Sequence, residues 1–494
     1  MAETQRKAPP VRIGSVRACD ACRRRKVRCD RNEHCKNCVQ AGLPCVYSDR
    51  KDAARSRMSI IRGGVIAMCK TANDQQQHAF YQAPSATTIS TSSISISTQA
   101  LGSMFPKTYF LDLIEDYYTY VFPTVPIIGR EEFRQAIRNM ACSSHDAALV
   151  YCLAAQTIYL SRAFSSRPPI TENDVRTLFE MTLRVREPLL SVQQITSASV
   201  LVSLLVSTGM IDTVKDQAMG TYYNREAIAG LQALRVADSV HQNSLDPQVA
   251  AQRERLYWIV FIHDRYHSLQ NDQLSNLPPL ALCTPQGLGD VPPDTDTWLD
   301  QEVRLFRVVD DDFLRFHKDK DDPRLTREWI VEKQLQLGSD AEAWIQTVRQ
   351  FSELQQMDLI VTNYWLRTVL WRIALFRFPL TSNQRHDHQQ ILTLEYPMYL
   401  SRPLRHLLAT RSRVAVDFHG EGMLQKLFDI TCTVADILLN VLAHTWDVGT
   451  RSAQLENFEF LHTFLIGMSN LPEEKRHVLY EKMREVQTIF PEMG

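Results

Sequence analysis

The sequence predicts a small metal-folded head, a flexible linker and a large all-α body, and three observations carry that expectation. Six of the eleven cysteines fall between Cys19 and Cys45, at the spacing C-x2-C-x6-C-x5-C-x2-C-x6-C. Ser85–Thr98 holds ten Ser and Thr in fourteen residues, a low-complexity composition that builds no core. From Phe105 onward apolar residues recur at helical spacing, glycine is scarce at 17, and no βαβ alternation appears. At 494 residues the chain is too long for one core.

Charge is concentrated in the head. Residues 1–57 hold 15 Lys and Arg against 6 Asp and Glu, while the remainder holds 40 against 50. A basic head on an acidic body points to a polyanionic partner for the head. The opening residues, MAETQRKAPP, lack the apolar region of a secretory signal. The longest apolar stretches, near Ala147–Leu160 and Ala198–Val206, are expected to fall short of a membrane span. In a reducing compartment, clustered cysteines are metal ligands rather than disulfides. The other five, Cys69, Cys142, Cys152, Cys283 and Cys432, read as buried small hydrophobes.

Zinc takes four tetrahedral ligands, with sulfur at about 2.3 Å. Each C-x2-C pair turns the backbone so that two sulfurs meet one ion. Six cysteines serve either one zinc with two left over, or two zincs with two bridging sulfurs. The near-repeat of Cys19-x2-Cys22-x6-Cys29 in Cys35-x2-Cys38-x6-Cys45 favours two. Each half is then a short helical turn and an extended strip, related by a pseudo-twofold axis. Only Val27, Val39, Leu43, Val46 and Tyr47 offer an apolar core, so metal must supply the folding energy, on the order of 10–16 kcal/mol per site. The run Arg23-Arg24-Arg25-Lys26-Val27-Arg28 carries cations that suit phosphates and the O6 and N7 acceptors of guanine. It also has the composition of a nuclear import signal.

This stretch resembles the fungal zinc binuclear cluster DNA-binding domain over residues 17–47. The resemblance implies two structural zinc ions per chain, held by Cys19, Cys22, Cys29, Cys35, Cys38 and Cys45, with Cys19 and Cys35 as bridges. It also implies that Arg25 and Lys26 approach a CGG-type triplet, Lys26 at the base edges. Arg23, Arg24, Arg28, Arg31 and Lys36 are expected on phosphates. The family usually has a proline between the halves; here the loop is Asp30-Arg31-Asn32-Glu33-His34, so its conformation needs another cause. His34 reads as a surface residue.

The expected organisation is a disordered basic N-terminus over 1–16, the cluster over 17–47, a disordered linker over 48–104 and an all-helical regulatory domain over 105–494. In many relatives a coiled coil follows the cluster and pairs two monomers. Gly63-Gly64 and Asp74-Gln75-Gln76-Gln77 interrupt any heptads here, so a homodimer has no coiled coil to rest on. Helices are expected at Tyr109–Tyr120, Arg130–Asn139, 145–163, 172–190, 193–210, Ala218–Val236 and Arg253–Arg265. A last one, Glu473–Ile489, either packs on the body or presents an amphipathic face. Leu277–Asp300 and Asp310–Asp322 read as irregular or acidic. Within the latter, Asp310-Asp311-Asp312-Phe313-Leu314 has the mix of an activation segment, with a solvated loop beside a helix as the plainer reading. Leu113–Phe133, Ala227–Ala237 and Arg253–Arg265 resemble the middle homology region of fungal zinc cluster regulators. Val361–Leu375 and Asp417–Leu439 resemble the C-terminal half of the yeast maltose-utilisation activators.

The sequence shows no Walker loop, GxGxxG, HExxH, G-x-S-x-G or deaminase signature. His386-Asp387-His388 lies in a polar loop without a third ligand, His263-Asp264 reads as the end of a core helix, and His419-Gly420-Glu421-Gly422 as a helix-start turn. No enzyme is expected. A zinc-stabilised interaction module of the RING or LIM type needs eight ligands at longer spacing, and a DNA-tethered enzyme lacks its machinery. The reading is a nuclear, sequence-specific regulator that meets double-stranded DNA and the transcription machinery, with activation the expected sense. The resemblance implies a regulatory body open to a small-molecule inducer; no membrane partner is expected. The targets are a secondary-metabolite biosynthetic cluster or carbohydrate utilisation.

Overall fold

In the head, the computed structural model describes residues 18–19, 21–22, 25, 27–32, 34–41 and 45. In the body it describes 105–162, 164, 172–186, 194–271, 274–281, 284–285, 291–338, 341–380, 391–442 and 448–490. The chain divides into two units, 1–64 and 65–494, each taken by itself. The expected linker and the His386-Asp387-His388 triplet lie outside the described residues.

In the head, α1 (Lys36–Gln40) starts at Cys35, whose Sγ accepts from the Cys38 N–H at 3.4 Å. The described residues of the body form helices and no strand. Its first part comprises α2 (Lys107–Asp112), α3 (Ile114–Asp116), α4 (Arg130–Asn139), α5 (Ser144–Ser161) and α6 (Glu172–Val185). It continues with α7 (Ser197–Gly209), α8 (Gln217–Ala233), α9 (Ser239–Asn243) and α10 (Pro247–Asn271). Then come α11 (Pro293–Arg307), α12 (Asp311–Lys318), α13 (Arg327–Gly338), α14 (Ala341–Val348) and α15 (Glu353–Arg377). The last are α16 (Tyr396–Thr410), α17 (Arg413–Phe418), α18 (Gly420–Ile437), α19 (Val448–Ile466) and α20 (Glu473–Ile489).

Two central helices organise the core. α5 is buried along nearly its whole length and packs on α6 and α7. Ser143 caps it, accepting from the Asp146 N–H at 3.1 Å. In the C-terminal half α15 packs against α16 and α18, and α18 against α19 and α20. The expected helix over Tyr109–Tyr120 is instead α2, α3 and a π-turn, Tyr117–Val121, because Leu113 breaks the register between them. Ser197–Val214, α7 with the π-turn after it, is long and apolar enough to cross a membrane by length and composition. It is longer than the stretch read from the sequence, and 67% of it is buried, wedged between α5 and α8.

Other expectations are corrected by caps and buried charges. The Leu277–Asp300 stretch is not irregular throughout: Pro293 at the first turn, with Asp294 and Asp296 beside it, starts α11. Asp310-Asp311-Asp312 is a helix start rather than a solvated loop, since Asp310 accepts from the Phe313 N–H at 2.9 Å and Phe313 is fully buried. Asp310→Ala is expected to lower body stability by about 0.5–2 kcal/mol in a urea melt, and an unchanged midpoint contradicts that capping role. His263-Asp264 lies inside α10, not at its end. There the buried Asp264 carboxylate receives the Asn276 and Leu277 N–H groups at 2.9 and 3.2 Å. Cys152 and Cys432 are buried as expected, but Cys142 is exposed in the turn after α4, and Cys69 and Cys283 lie outside the described residues. The last helix, α20, sits on the body through Leu479 and Val486.

Three histidines are held neutral inside the body. Burial pushes His263 down to about 4 and both His267 and His317 down to about 3. The unfolded chain binds these protons near an ordinary histidine value, so stability is present above about pH 6.5 and declines as pH falls toward the folded values. The melting temperature of the body should therefore drop between about pH 7 and pH 4. A flat profile across that window contradicts the burial.

Candidate metal centre and nucleic-acid interface

The described residues of the head form no apolar core. Val27 and Val39, two of the expected core residues, are 39% and 65% exposed, and Leu43, Val46 and Tyr47 lie outside the described residues. What is buried is sulfur: Cys19, Cys22, Cys35 and Cys38 at 0%, with Ala21 between them.

The sulfurs form two sets, Cys19, Cys22, Cys29, Cys35 and Cys19, Cys35, Cys38, Cys45. Within each set all Sγ atoms lie within 4.8 Å of one another, and Cys19 and Cys35 belong to both. Cys19 and Cys35 stand 3.7 Å apart, and the crossed pairs Cys19–Cys38 and Cys22–Cys35 are both 3.5 Å. A tetrahedral ion with bonds of about 2.3 Å needs its ligands roughly 3.8 Å apart. The donor set therefore fits two zinc ions, and the six-cysteine cluster is consistent with two structural zincs.

The backbone repeats the symmetry. The Cys19 N–H donates to Cys29 Sγ at 3.4 Å, and its counterpart Cys35 N–H donates to Cys45 Sγ at 3.2 Å. In the first half Arg25 and Val27 N–H close a turn on the Ala21 and Cys22 carbonyls; in the second, α1 takes the same place.

Electrostatics also calls for a cation. Burial pushes the Cys22 thiol up to about 12 and raises Cys35 and Cys38 as well. At Cys19 burial acts in the same sense, but the Cys22 N–H and the neighbouring thiols outweigh it and bring the group to about 6. Thiols this close cannot all ionise without a positive charge among them.

The loop between the halves owes its shape to Asp30. Its carboxylate accepts from the Lys36 N–H at 3.0 Å and from Asn32 N and Nδ2 at 3.5 and 3.3 Å. The Lys36 N–H, foremost, holds the Asp30 carboxyl below the usual range. Arg31 takes a left-handed φ of 61°. This Asx-type turn stands where the expected loop carries a proline. His34 is exposed, as expected.

Of the expected DNA-facing residues, Arg25, Arg28, Arg31 and Lys36 are solvent-exposed around the sulfurs. Arg23, Arg24 and Lys26 lie outside the described residues.

Comparison with known proteins places this site in a class. Residues 17–54 match the family model of the fungal Zn(2)-Cys(6) binuclear cluster domain. The azaphilone cluster-specific transcription factor of Aspergillus niger is 29% identical over 130 residues, which is 25% of this chain and 28% of that protein. The aspyridones cluster regulator of Emericella nidulans is 42% identical over 53 residues, 10% of this chain and 7% of that protein. An uncharacterized transcriptional regulatory protein of Schizosaccharomyces pombe is 57% identical over 42 residues, 8% of this chain and 5% of that protein. The matches thus span under a third of each relative's length. Residues 17–54 are thus similar to the fungal Zn(2)-Cys(6) binuclear cluster domain, and the proteins matched are, by their names, transcriptional regulators rather than enzymes.

Proposed function

We propose that this protein is a nuclear DNA-binding regulator whose head, residues 17–47, holds two zinc ions and reads a CGG-type triplet. Cys22 and Cys29 serve one ion, Cys38 and Cys45 the other, and Cys19 and Cys35 bridge them. The shared membership of Cys19 and Cys35 in two four-sulfur sets is the observation that carries this reading. Arg25 and Lys26 meet the base edges, with Lys26 in the leading place, while Arg23, Arg24, Arg28, Arg31 and Lys36 hold phosphates. Residues 105–494 regulate, through the transcription machinery and a small-molecule inducer, in the sense of activation. Between a carbohydrate pathway and a secondary-metabolite gene cluster, the azaphilone and aspyridones regulators favour the second. The resemblance of the C-terminal half to maltose-utilisation activators supports the first less directly.

Lys26→Ala tests the reading. Specific binding to a CGG duplex should fall by about 1–3 kcal/mol while binding to unrelated duplex changes little. An equal fall on both makes Lys26 a phosphate contact and overturns its assignment to the bases.

A further inference from the structure

The two halves of the head are tied to each other by more than sulfur. Asn37 Nδ2 donates to the Arg28 carbonyl, and the Asp30 carboxylate accepts from the Lys36 N–H at 3.0 Å. The two bonds stand like successive rungs between the strip that leaves the first half, 28–30, and the start of α1, which opens the second. Inside them the chain turns through Asp30 to Asn32, with Arg31 at its left-handed φ.

The repeated sulfur geometry does not call for the outer rung. Asn37 stands one residue before the second cysteine of its half, and in the first half that place belongs to Ala21. Ala21 has no side-chain donor and is buried. The place of Arg28 belongs in the second half to Pro44. A bond that one half's metal ligands do without is not there for the metal in the other.

What the rungs hold together is charge. Arg28, Arg31 and Lys36 are all solvent-exposed, and among the described residues their side chains make no hydrogen bond or ion pair. The Asp30 carboxylate stands between these cations in sequence, yet its oxygens receive the Lys36 and Asn32 N–H groups and the Asn32 amide. It fixes backbone rather than neutralising a neighbour, and the three cations keep their charge for another partner.

We infer that Asn37 and Asp30 are positioning residues for DNA binding: by tying the exit of the first half to the start of the second, they preset Arg28, Arg31 and Lys36 as one grip on the DNA backbone. A loop free to move has to be ordered at each encounter, and that cost is subtracted from affinity. The inference rests on the phosphate assignment of those three cations in the reading above.

Fluorescence anisotropy of the full zinc-loaded chain, on a CGG duplex and on an unrelated one over a range of salt, tests it. Asn37→Ala and Asp30→Ala should keep two zincs per chain. Both should bind either duplex about three- to tenfold more weakly, with a log–log salt slope shallower by about one. Asp30→Ala separates position from charge. Removing an anion from among cations strengthens attraction to a polyanion on Coulomb grounds alone, so weaker binding there is an effect of position. Asp30→Asn, which keeps an acceptor for the Lys36 N–H, should recover most of the loss. Lys36→Ala reports the underlying assignment and should also give a shallower slope. A parental slope in Lys36→Ala overturns the phosphate assignment and the inference with it. A shallower slope there, beside parental binding by Asn37→Ala, overturns the positioning role alone. So does tighter binding by Asp30→Ala or an Asp30→Asn no better than the alanine. Loss of zinc from either alanine variant also overturns it, since the residues then support the metal site instead.

Discussion

Cys19→Ser is expected to remove both metals from the head and abolish specific DNA binding. The reason is the sharing of sulfurs: Cys19 belongs to both four-sulfur sets, whereas Cys29 or Cys45 belongs to one. Among the described residues of the head nothing else compensates, because those that are buried are four cysteines and Ala21. Structural zinc contributes on the order of 10–16 kcal/mol per site, so a head without it does not stay folded. Cys29→Ser should do less harm, since one complete four-sulfur set survives it. Metal content and fluorescence anisotropy on a CGG duplex measure both variants. Retention of two metals and parental affinity by Cys19→Ser would falsify the sharing.

Asp296→Ala should be the most damaging single change in the body. Arg255 on α10 and Asp296 on α11 are 3% and 0% exposed and form a two-point pair, Nε to Oδ1 at 2.8 Å and Nη2 to Oδ2 at 3.1 Å. Removing the carboxylate strands a guanidinium in the core, at a cost of about 3–5 kcal/mol. The double variant Arg255→Leu with Asp296→Leu should recover much of that loss, because the stranded charge rather than the missing attraction is what destabilises. Urea melts of the full chain measure both. A single variant within 1 kcal/mol of the parent, or so roughly, contradicts the account of that pair.

How far the sequence could be read depends on the scale of the signal. The cysteine spacing was legible because metal geometry ties residue type to position with little tolerance, and the two sulfur sets follow the repeat residue for residue. Arg130–Asn139 and Glu473–Ile489 were legible to the residue because the start of each carries a signal: Gly129 before one helix, Pro472 before the other, each with glutamates in the first turn. The acidic segments were misread for the opposite reason. Asp294, Asp296 and Asp310 look like solvated charge in a row of letters, yet one starts a helix, one is buried against an arginine 41 residues away, and one caps α12. No local pattern announces a partner that distant. Asp30 shows the same limit on a smaller scale: the loop lacks its usual proline, and the turn is held by a side chain whose role appears only when Lys36 and Asn32 are placed beside it.

The central claim is a head folded by two metals on shared sulfurs, and native mass spectrometry of the zinc-loaded chain tests it most directly. Two zinc ions per chain, lost together on chelation with the loss of DNA binding, is the predicted result. A single zinc per chain with binding intact would contradict it.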